Sequence, residues 1–312
     1  MASLIAALCG CNEFGFDPID PDTAPSDVVV VEDVFVQAPL PAVDVLFVID
    51  ETQSMEQEFA VLSTSVASMM TTLDDLGLRW HIGVVGANMV GEGAGELRGR
   101  PWVLTPETLD REQAMADLLR VTPGVQSEAG LAAMVRALEL SGDGGANEGF
   151  RRPDASLQVV FVADDDDGSD LFLDDPIPDA IAALRSTDGK EAVASALVGD
   201  VPGGCTSARG TALPGDRYVS VAEATGGMVA SVCDADFGAV LEEVGRGSVV
   251  LPRRFGLSAV PDGDAINVLV DGDPVETFVV ELDEAGELAT LVFDEAPPAA
   301  SAVVVTYPVS NR

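Results

Sequence analysis

An almost uninterrupted apolar run that stops at an acidic residue constrains this chain more than any other feature. The run Val43-Asp-Val-Leu-Phe-Val-Ile49 is followed by Asp50, and Thr52 and Ser54 then place hydroxyl groups on alternate residues. Such a run predicts a strand buried on both faces, as in a parallel sheet covered by helices. Carboxylate and hydroxyl oxygens directly after that strand predict a loop that binds a metal ion.

Helical and strand patterns then alternate to about residue 250. Apolar residues recur every three or four positions from Met55 to Leu76, which is typical of a helix lying on a sheet, and Gly77 is a natural stop. Residues 79–85 have a strand pattern that contains the single histidine, His81, for which we expect a structural role. The alternation predicts the α/β class, with a doubly wound, mostly parallel sheet.

A second buried strand is predicted to be followed directly by acidic residues. Residues 157–163 lead directly into Asp164-Asp-Asp-Asp-Gly168-Ser-Asp170. Consecutive carboxylates repel one another unless a cation or solvent neutralises them. Because parallel strands end at one edge of a sheet, Asp50 and Asp164 are expected to lie close together. A rival interpretation is a short calcium loop containing Asp164, Asp166 and Asp170, which would hold a structural ion beside the first site or instead of it.

In their order along the chain, these motifs resemble those of von Willebrand factor type A domains of bacterial surface lipoproteins. The resemblance covers roughly residues 43 to 247, and Asp50-x-Thr52-x-Ser54 matches the Asp-x-Ser/Thr-x-Ser pattern of the family's metal-ion-dependent adhesion site. It implies a Rossmann-like α/β fold and a non-enzymatic adhesion module. The ligands carried over from the family are Asp50, Thr52, Ser54, Ser127 and Asp164.

The position of Ser127 just before a helical pattern has a second interpretation as an ordinary helix N-cap, and Thr122 is a weaker candidate for the same ligand. Two residues depart from the family pattern. Glu51 and Gln53 stand where small residues are usual, and they would crowd the site or change its ion preference. Thr52 replaces the more usual serine but retains the hydroxyl group.

Oxygen ligands of this kind suit Mg²⁺, with Mn²⁺ or Ca²⁺ as alternatives. The resemblance implies that the bound ion captures a carboxylate presented by a protein or glycan partner. The alternatives are a Mg²⁺-dependent hydrolase or phosphotransferase at the same acidic edge, a structural calcium-binding surface protein, and a module whose degenerate site binds no ion.

Charge excludes several classes of partner. With 16 basic and 53 acidic residues the net charge is −37, so we expect no binding to nucleic acid or to anionic lipid. One lysine, one histidine and no phosphate-binding Gly-Lys motif also leave little for phosphoryl-transfer chemistry.

Cysteine usage predicts export. Cys9 and Cys11 follow a short apolar segment that resembles the end of a bacterial lipoprotein signal, with Cys11, or alternatively Cys9, as the acylated residue. This predicts a protein of the outer membrane, periplasm or cell surface that touches the membrane only through lipid. The family resemblance also implies a Cys205–Cys233 disulfide, with two free thiols as the alternative in a cytosolic protein.

We expect three regions along the chain. Residues 1–26 are a signal-like segment and an acidic, Pro-rich tether, residues 27–250 are the α/β domain, and residues 251–312 are a small all-β module. Short β-type runs separated by Asp-Gly, Ala-Gly and Pro-Pro turns predict a β-sandwich in the last region. A Val-rich strand ahead of the α/β domain is expected to pair, over residues 34–37, either with that domain's edge or with the C-terminal module.

Overall fold

The computed structural model describes residues 28–39, 41–122, 127–185, 192–249, 251–283 and 285–310. The predicted lipidation at Cys11 or Cys9 and most of the tether lie outside these residues. The described helices are α1 (Glu56–Asp75), α2 (Arg111–Leu118), α3 (Gly130–Glu139), α4 (Pro176–Arg185), α5 (Asp216–Thr225) and α6 (Gly238–Gly247). The described strands are β1 (Val28–Val36), β2 (Ala42–Ile49), β3 (Arg79–Gly86), β4 (Ala155–Val162), β5 (Ala192–Val198), β6 (Cys205–Thr206), β7 (Thr211–Ala212), β8 (Val229–Ser231), β9 (Arg254–Gly256), β10 (Asn267–Val270), β11 (Asp273–Pro274), β12 (Phe278–Leu282), β13 (Ala289–Phe293) and β14 (Ala302–Ser310).

A five-stranded parallel sheet forms the centre of the α/β unit, in the order β3-β2-β4-β5-β8. Every residue of β2 and β4 is buried, which is why both strands are almost uniformly apolar. Ile49 pairs with Gly86 of β3 and with Val162 of β4, so the three strands end at the same edge. We call this the carboxyl edge.

Helices cover both faces of the sheet. Alternate residues of β2 point to opposite sides: Phe47 and Ile49 pack with α1, α2 and α6, whereas Leu46 and Val48 pack with α3, α4 and α5. The prediction of a doubly wound α/β fold is therefore confirmed.

The opposite edge of the sheet holds a buried ionic network. The fully buried carboxylate of Asp44 accepts hydrogen bonds from Arg151 and from the side chain and backbone of Arg152, at 2.8–2.9 Å. His81 pairs with Asp44 in the sheet register, and burial followed by the charge of Arg152 lowers the pKa of its imidazole. Six residues of extended strand, about 20 Å, separate Asp44 from Asp50. His81 therefore lies far from the carboxyl edge.

A β-sandwich forms the C-terminal module, as predicted. Its sheets have the orders β1-β14-β10-β11 and β12-β13-β9, and they enclose an apolar core that includes Phe255, Leu291 and Val305. β1 pairs along its whole length with β14, from Val28↔Ser310 to Val36↔Ala302. Of the two partners that the sequence left open for this strand, the C-terminal module is the one with which residues 28–36 pair, and alternate side chains of β1 pack on the sandwich core.

Two helices begin later than their sequence patterns predict. The pattern of residues 106–120 predicts a helix that starts at Pro106, but α2 begins at Arg111, directly after Asp110, which has a left-handed backbone (φ 48°). The pattern that ends at Val244 predicts a helix capped by Asp234, but α6 begins at Gly238, whose amide donates a hydrogen bond of 2.7 Å to the Asp236 carboxylate. In the part of the chain that the structure describes, no helix combines the length and apolar character needed to cross a bilayer.

Candidate metal centre

Four of the predicted ligands are joined by hydrogen bonds at the carboxyl edge. Asp50 follows β2, and its Oδ1 accepts a bond of 2.8 Å from the Thr52 amide. The hydroxyl oxygens of Thr52 and Ser54 lie 2.8 Å apart, and Ser54 Oγ donates to Asp164 Oδ1 at 3.2 Å. A chain of hydrogen bonds through Thr52 and Ser54 therefore connects the ends of β2 and β4.

One carboxylate oxygen in this chain lacks a partner. Asp50 is only 1% exposed, and no N–H group and no serine or threonine hydroxyl among the described residues donates a hydrogen bond to its buried Oδ2. A buried carboxylate oxygen without a donor destabilises the fold, because it has lost its hydrogen bonds to water and has formed none within the protein. A divalent cation would supply the missing partner, so these residues fit the predicted ion.

Charge repulsion acts on Asp164. Burial, the charge of Asp50 and a hydrogen bond shared with Asp50 raise the pKa of Asp164 to about 7, although the hydrogen bond from Ser54 opposes the rise. Burial and the charge of Asp50 also raise the pKa of the neighbouring Asp165. The two carboxylates of Asp50 and Asp164 therefore face each other closely, which is the arrangement that a shared cation would relieve.

Sequence reasoning missed Glu128. Burial, followed by the charges of Asp50 and Asp165, raises the pKa of Glu128 to about 7, which places its carboxyl group in the same field. The backbone carbonyl of Glu128 accepts a bond of 2.7 Å from Gly168 and so ties its loop to the acidic loop. The available sequence signal is its position next to Ser127 at the start of a helical pattern, where an acidic residue is also favourable in the first turn.

Hydroxyl groups would have to complete the coordination. Among the residues with described positions, no three carboxylate, imidazole or thiol groups converge closely enough to hold one ion. Asp50 and Asp164 would therefore need Thr52, Ser54 and water as further ligands, a set that suits Mg²⁺, which usually retains several waters.

The N-terminus of α3 is capped by the acidic loop. The amides of Leu131 and Ala132 donate to Asp167 Oδ1 and Ser169 Oγ, both at 2.9 Å. A carboxylate is stabilised at this end of a helix by the aligned peptide dipoles. The alternative interpretation of Ser127 as a side-chain cap is thus not realised.

The two candidates for the remaining hydroxyl ligand have different surroundings. Ser127 Oγ accepts one long bond, 3.5 Å, from the Met89 amide, and its role as a ligand stays a prediction. The Thr122 amide donates to the Glu51 carbonyl at 2.9 Å, and its hydroxyl lies 3.5 Å from a nitrogen of Arg98.

Glu51 turns toward β3, whereas Asp164 lies on the β4 side of β2. The Glu51 carboxylate is buried and forms an ion pair with Arg98 at 3.0 Å. A Cβ atom at Gly86 would overlap the Glu51 carboxylate, so the absence of a side chain at Gly86 leaves room for this carboxylate. The Glu51 carboxylate is thus held by Arg98, and Gln53 is exposed, whereas the effect of the two residues on ion preference stays a prediction.

Arg217 binds two acidic residues of the proposed calcium loop. Its guanidinium makes two bonds to Asp170, at 2.7 and 3.0 Å, and its amide donates to Asp166 Oδ1 at 3.0 Å. An ion held by Asp166 and Asp170 would have to compete with this guanidinium. The second calcium site stays a prediction, and the sequence pattern had not indicated Arg217 as a neighbour.

A disulfide joins Cys205 and Cys233, as expected, with a Sγ–Sγ distance of 2.08 Å. It closes a segment that carries Leu213, whose amide donates to the Asp164 carbonyl at 2.7 Å, and Arg217. The disulfide therefore anchors the loop after β5 beside the candidate site.

No family model and no curated protein matches the chain. Among solved structures, the pilus adhesin RrgA from Streptococcus pneumoniae has 8% sequence identity and a TM-score of 0.38, over 95% of this chain and 60% of its own. The adhesive tip pilin GBS104 from group B Streptococcus agalactiae has 9% identity and a TM-score of 0.37, over 95% and 85% of the two chains. The conserved hypothetical protein BatB from Bacteroides thetaiotaomicron has 12% identity and a TM-score of 0.39, over 66% and 96%. This chain thus spans less than two thirds of RrgA, and similarity at this level carries no conclusion about function.

Proposed function

We propose that this protein is a non-enzymatic binding module of the adhesion type that uses a divalent cation to capture a carboxylate on a protein or glycan partner. One observation carries the proposal: Asp50 belongs to a chain of hydrogen bonds that links two strand ends, and its buried Oδ2 receives no bond from an N–H group or a serine or threonine hydroxyl among the described residues. The proposal includes export to the bacterial cell envelope, for which the Cys205–Cys233 disulfide is the supporting observation.

The residues of the site have separate tasks in this proposal. Asp50 and Asp164 would supply the negative charge that attracts the ion, with Mg²⁺ preferred and Mn²⁺ or Ca²⁺ as alternatives. The hydroxyl groups of Thr52 and Ser54 are neutral, so they leave more positive charge on the ion than carboxylates would. When bound there, the ion supplies a coordination position to which a partner's carboxylate can bind.

The organisation of the loop favours binding over catalysis. The basic groups described near the site, Arg98 and Arg217, are already paired with Glu51 and Asp170. A hydrolase or phosphotransferase would need positive charge to stabilise a leaving phosphate.

Calorimetry with Mg²⁺, Mn²⁺ and Ca²⁺ tests the proposal on the wild type, on Asp50→Ala and on Asp170→Asn. We expect the wild type and Asp170→Asn to bind an ion with similar affinity, and Asp50→Ala to lose binding while its circular dichroism is unchanged. Asp170 is the control because its carboxylate is paired with Arg217.

Two results would contradict the proposal. Normal ion binding by Asp50→Ala would exclude Asp50 as a ligand. Loss of binding in Asp170→Asn alone would place the ion in the acidic loop and favour the structural calcium-binding alternative.

A further inference from the structure

Large apolar side chains are exposed on the loops around the candidate metal centre. They come from three loops, which follow β3, β4 and β5 and therefore lie at the carboxyl edge. We call this set the apolar rim, and its members are Val90, Leu171, Phe172, Val201 and Leu213. Single exposed apolar residues are common, but a group drawn from separate loops around one site is typical of a binding surface.

Backbone contacts place two loops of the rim beside the site. The Leu213 amide donates to the Asp164 carbonyl at 2.7 Å, and the Leu213 side chain is 57% exposed. Val90 follows Met89, whose amide bonds Ser127, and two hydrogen bonds with Asn88 hold the Val90 turn in place.

The acidic loop carries a third exposed apolar residue. Leu171 is 87% exposed, although the neighbouring Ser169 is fully buried and bonded to α3. The exposed Leu171 side chain therefore lies on a loop that is anchored to α3.

We infer that the partner presents its carboxylate between apolar side chains, which the apolar rim contacts while the carboxylate faces Asp50 and Asp164. This inference rests on the proposed function, and it adds the chemical class of the partner: a protein segment with one acidic residue flanked by aliphatic or aromatic residues. A glycan carboxylate would lack these flanking groups and would leave the rim exposed.

Charge supports the same class. The chain carries a net charge of −37, and Asp165, Asp166 and Asp167 follow Asp164 directly in the sequence. A partner with several acids would be repelled everywhere except at the ion. Neutral apolar groups beside a single carboxylate avoid this repulsion and bury rim surface that is otherwise in contact with water.

Short peptides serve as probes. With Mg²⁺ present, calorimetry or NMR titration should show that acetyl-Leu-Asp-Leu-amide binds about tenfold more tightly than acetyl-Gly-Asp-Gly-amide, because two aliphatic side chains become partly buried. Acetyl-Leu-Asn-Leu-amide, which lacks the carboxylate, should bind more weakly than either.

Exposed leucines provide matched variants. The double variant Leu171→Ser and Leu213→Ser should reduce the tenfold preference to less than twofold and leave Mg²⁺ affinity unchanged. Leu109→Ser is the control, because Leu109 is 89% exposed and precedes Arg111, which pairs with Asp74 at the end of α1 on the opposite edge. This control should retain the full preference.

The outcomes separate the inference from the function on which it rests. Absence of Mg²⁺ binding by the wild type would overturn both. Normal Mg²⁺ binding would overturn the inference alone if the leucine peptide showed no preference, if neither aspartate peptide bound at millimolar concentration, or if the preference persisted in EDTA or in the double variant.

Discussion

At the end of β2, two consecutive acids have opposite surroundings. Asp50 leaves one buried oxygen without a donor, whereas the Glu51 carboxylate is paired with Arg98 at 3.0 Å. Asp164 faces Asp50, and Asp170 is held by two bonds from Arg217. The same functional group is therefore uncompensated at one position and neutralised at another, which separates the candidate ligands from acids that stabilise the loops.

The repulsion between Asp50 and Asp164 predicts that Asp164→Asn stabilises the metal-free protein at pH 8. The pKa of Asp164, about 7, lies above its ordinary value of 3.8, so the protonated group is favoured in the fold. The associated stability is fully present below pH 3.8 and is lost as the pH rises through 7. At pH 8 in EDTA we expect a gain of about 1–2 kcal/mol in the free energy of unfolding, after allowance for solvent screening, measured by urea denaturation.

Asp170→Asn is the control for this prediction and should have the opposite sign. Hydrogen bonds from Arg217 lower the pKa of Asp170, so its charge favours the fold and its removal should not stabilise the protein. A loss of stability in Asp164→Asn at pH 8, or an equal gain at pH 4, would show that repulsion does not act on Asp164 in the metal-free state.

Among the elements, β1 shows how one strand serves a module distant in sequence. Its alternate residues divide between the core and solvent: Phe35 lies 5.2 Å from the Phe255 ring centre, whereas Val34 is 60% exposed. The Asp33 carboxylate accepts bonds from the Tyr307 hydroxyl at 2.6 Å and from the Ser258 amide at 2.9 Å. β1 is thus held by side chains as well as by its ladder with β14.

Phe35→Ala should destabilise the C-terminal sandwich, and Val34→Ala should not. Removal of the ring leaves a cavity beside Phe255, and we expect a loss of about 2 kcal/mol because Phe35 is only partly buried. Val34 is the adjacent residue on the opposite face, so its truncation should change stability by less than about 0.5 kcal/mol. Hydrogen exchange of the β14 amides measures both effects, and equal exchange rates in the two variants would contradict the packing of β1 on this core.

The whole molecule carries a net charge of −37, with 16 basic residues available for pairing. Several arginines act within the fold: Arg152 on Asp44, Arg98 on Glu51, Arg217 on Asp170 and Arg209 near Glu58. Acidic residues outnumber basic ones by 37, and their mutual repulsion acts on the compact state more than on the expanded unfolded chain.

Salt should therefore stabilise the protein. The screening length falls from about 30 Å at 0.01 M to roughly 8–10 Å at 0.1–0.15 M salt. We expect the Tm in EDTA to rise by roughly 5 °C between 10 and 300 mM NaCl. KCl should give the same rise if screening is the cause, and a Tm that is constant or falls over this range would contradict the repulsion.

The α/β class, the buried strands β2 and β4, helix α1 and the joint location of Asp50 and Asp164 could be predicted because they follow from local patterns. Hydrophobic periodicity determines which faces are buried, and parallel strands must end at one edge. The extent of β1 was likewise indicated by its valines, although its partner was left open between two modules.

Long-range packing decided the rest. No local pattern relates Glu51 to Arg98, Asp170 to Arg217 or Val28 to Ser310, because each pair is joined only when distant segments fold against one another. Glu128 belongs to the acidic field for the same reason: its loop is brought there by the bond from Gly168. Hydrophobic periodicity predicts which side chains are buried. The charged groups that surround a carboxylate depend instead on which distant segments the tertiary structure places beside it.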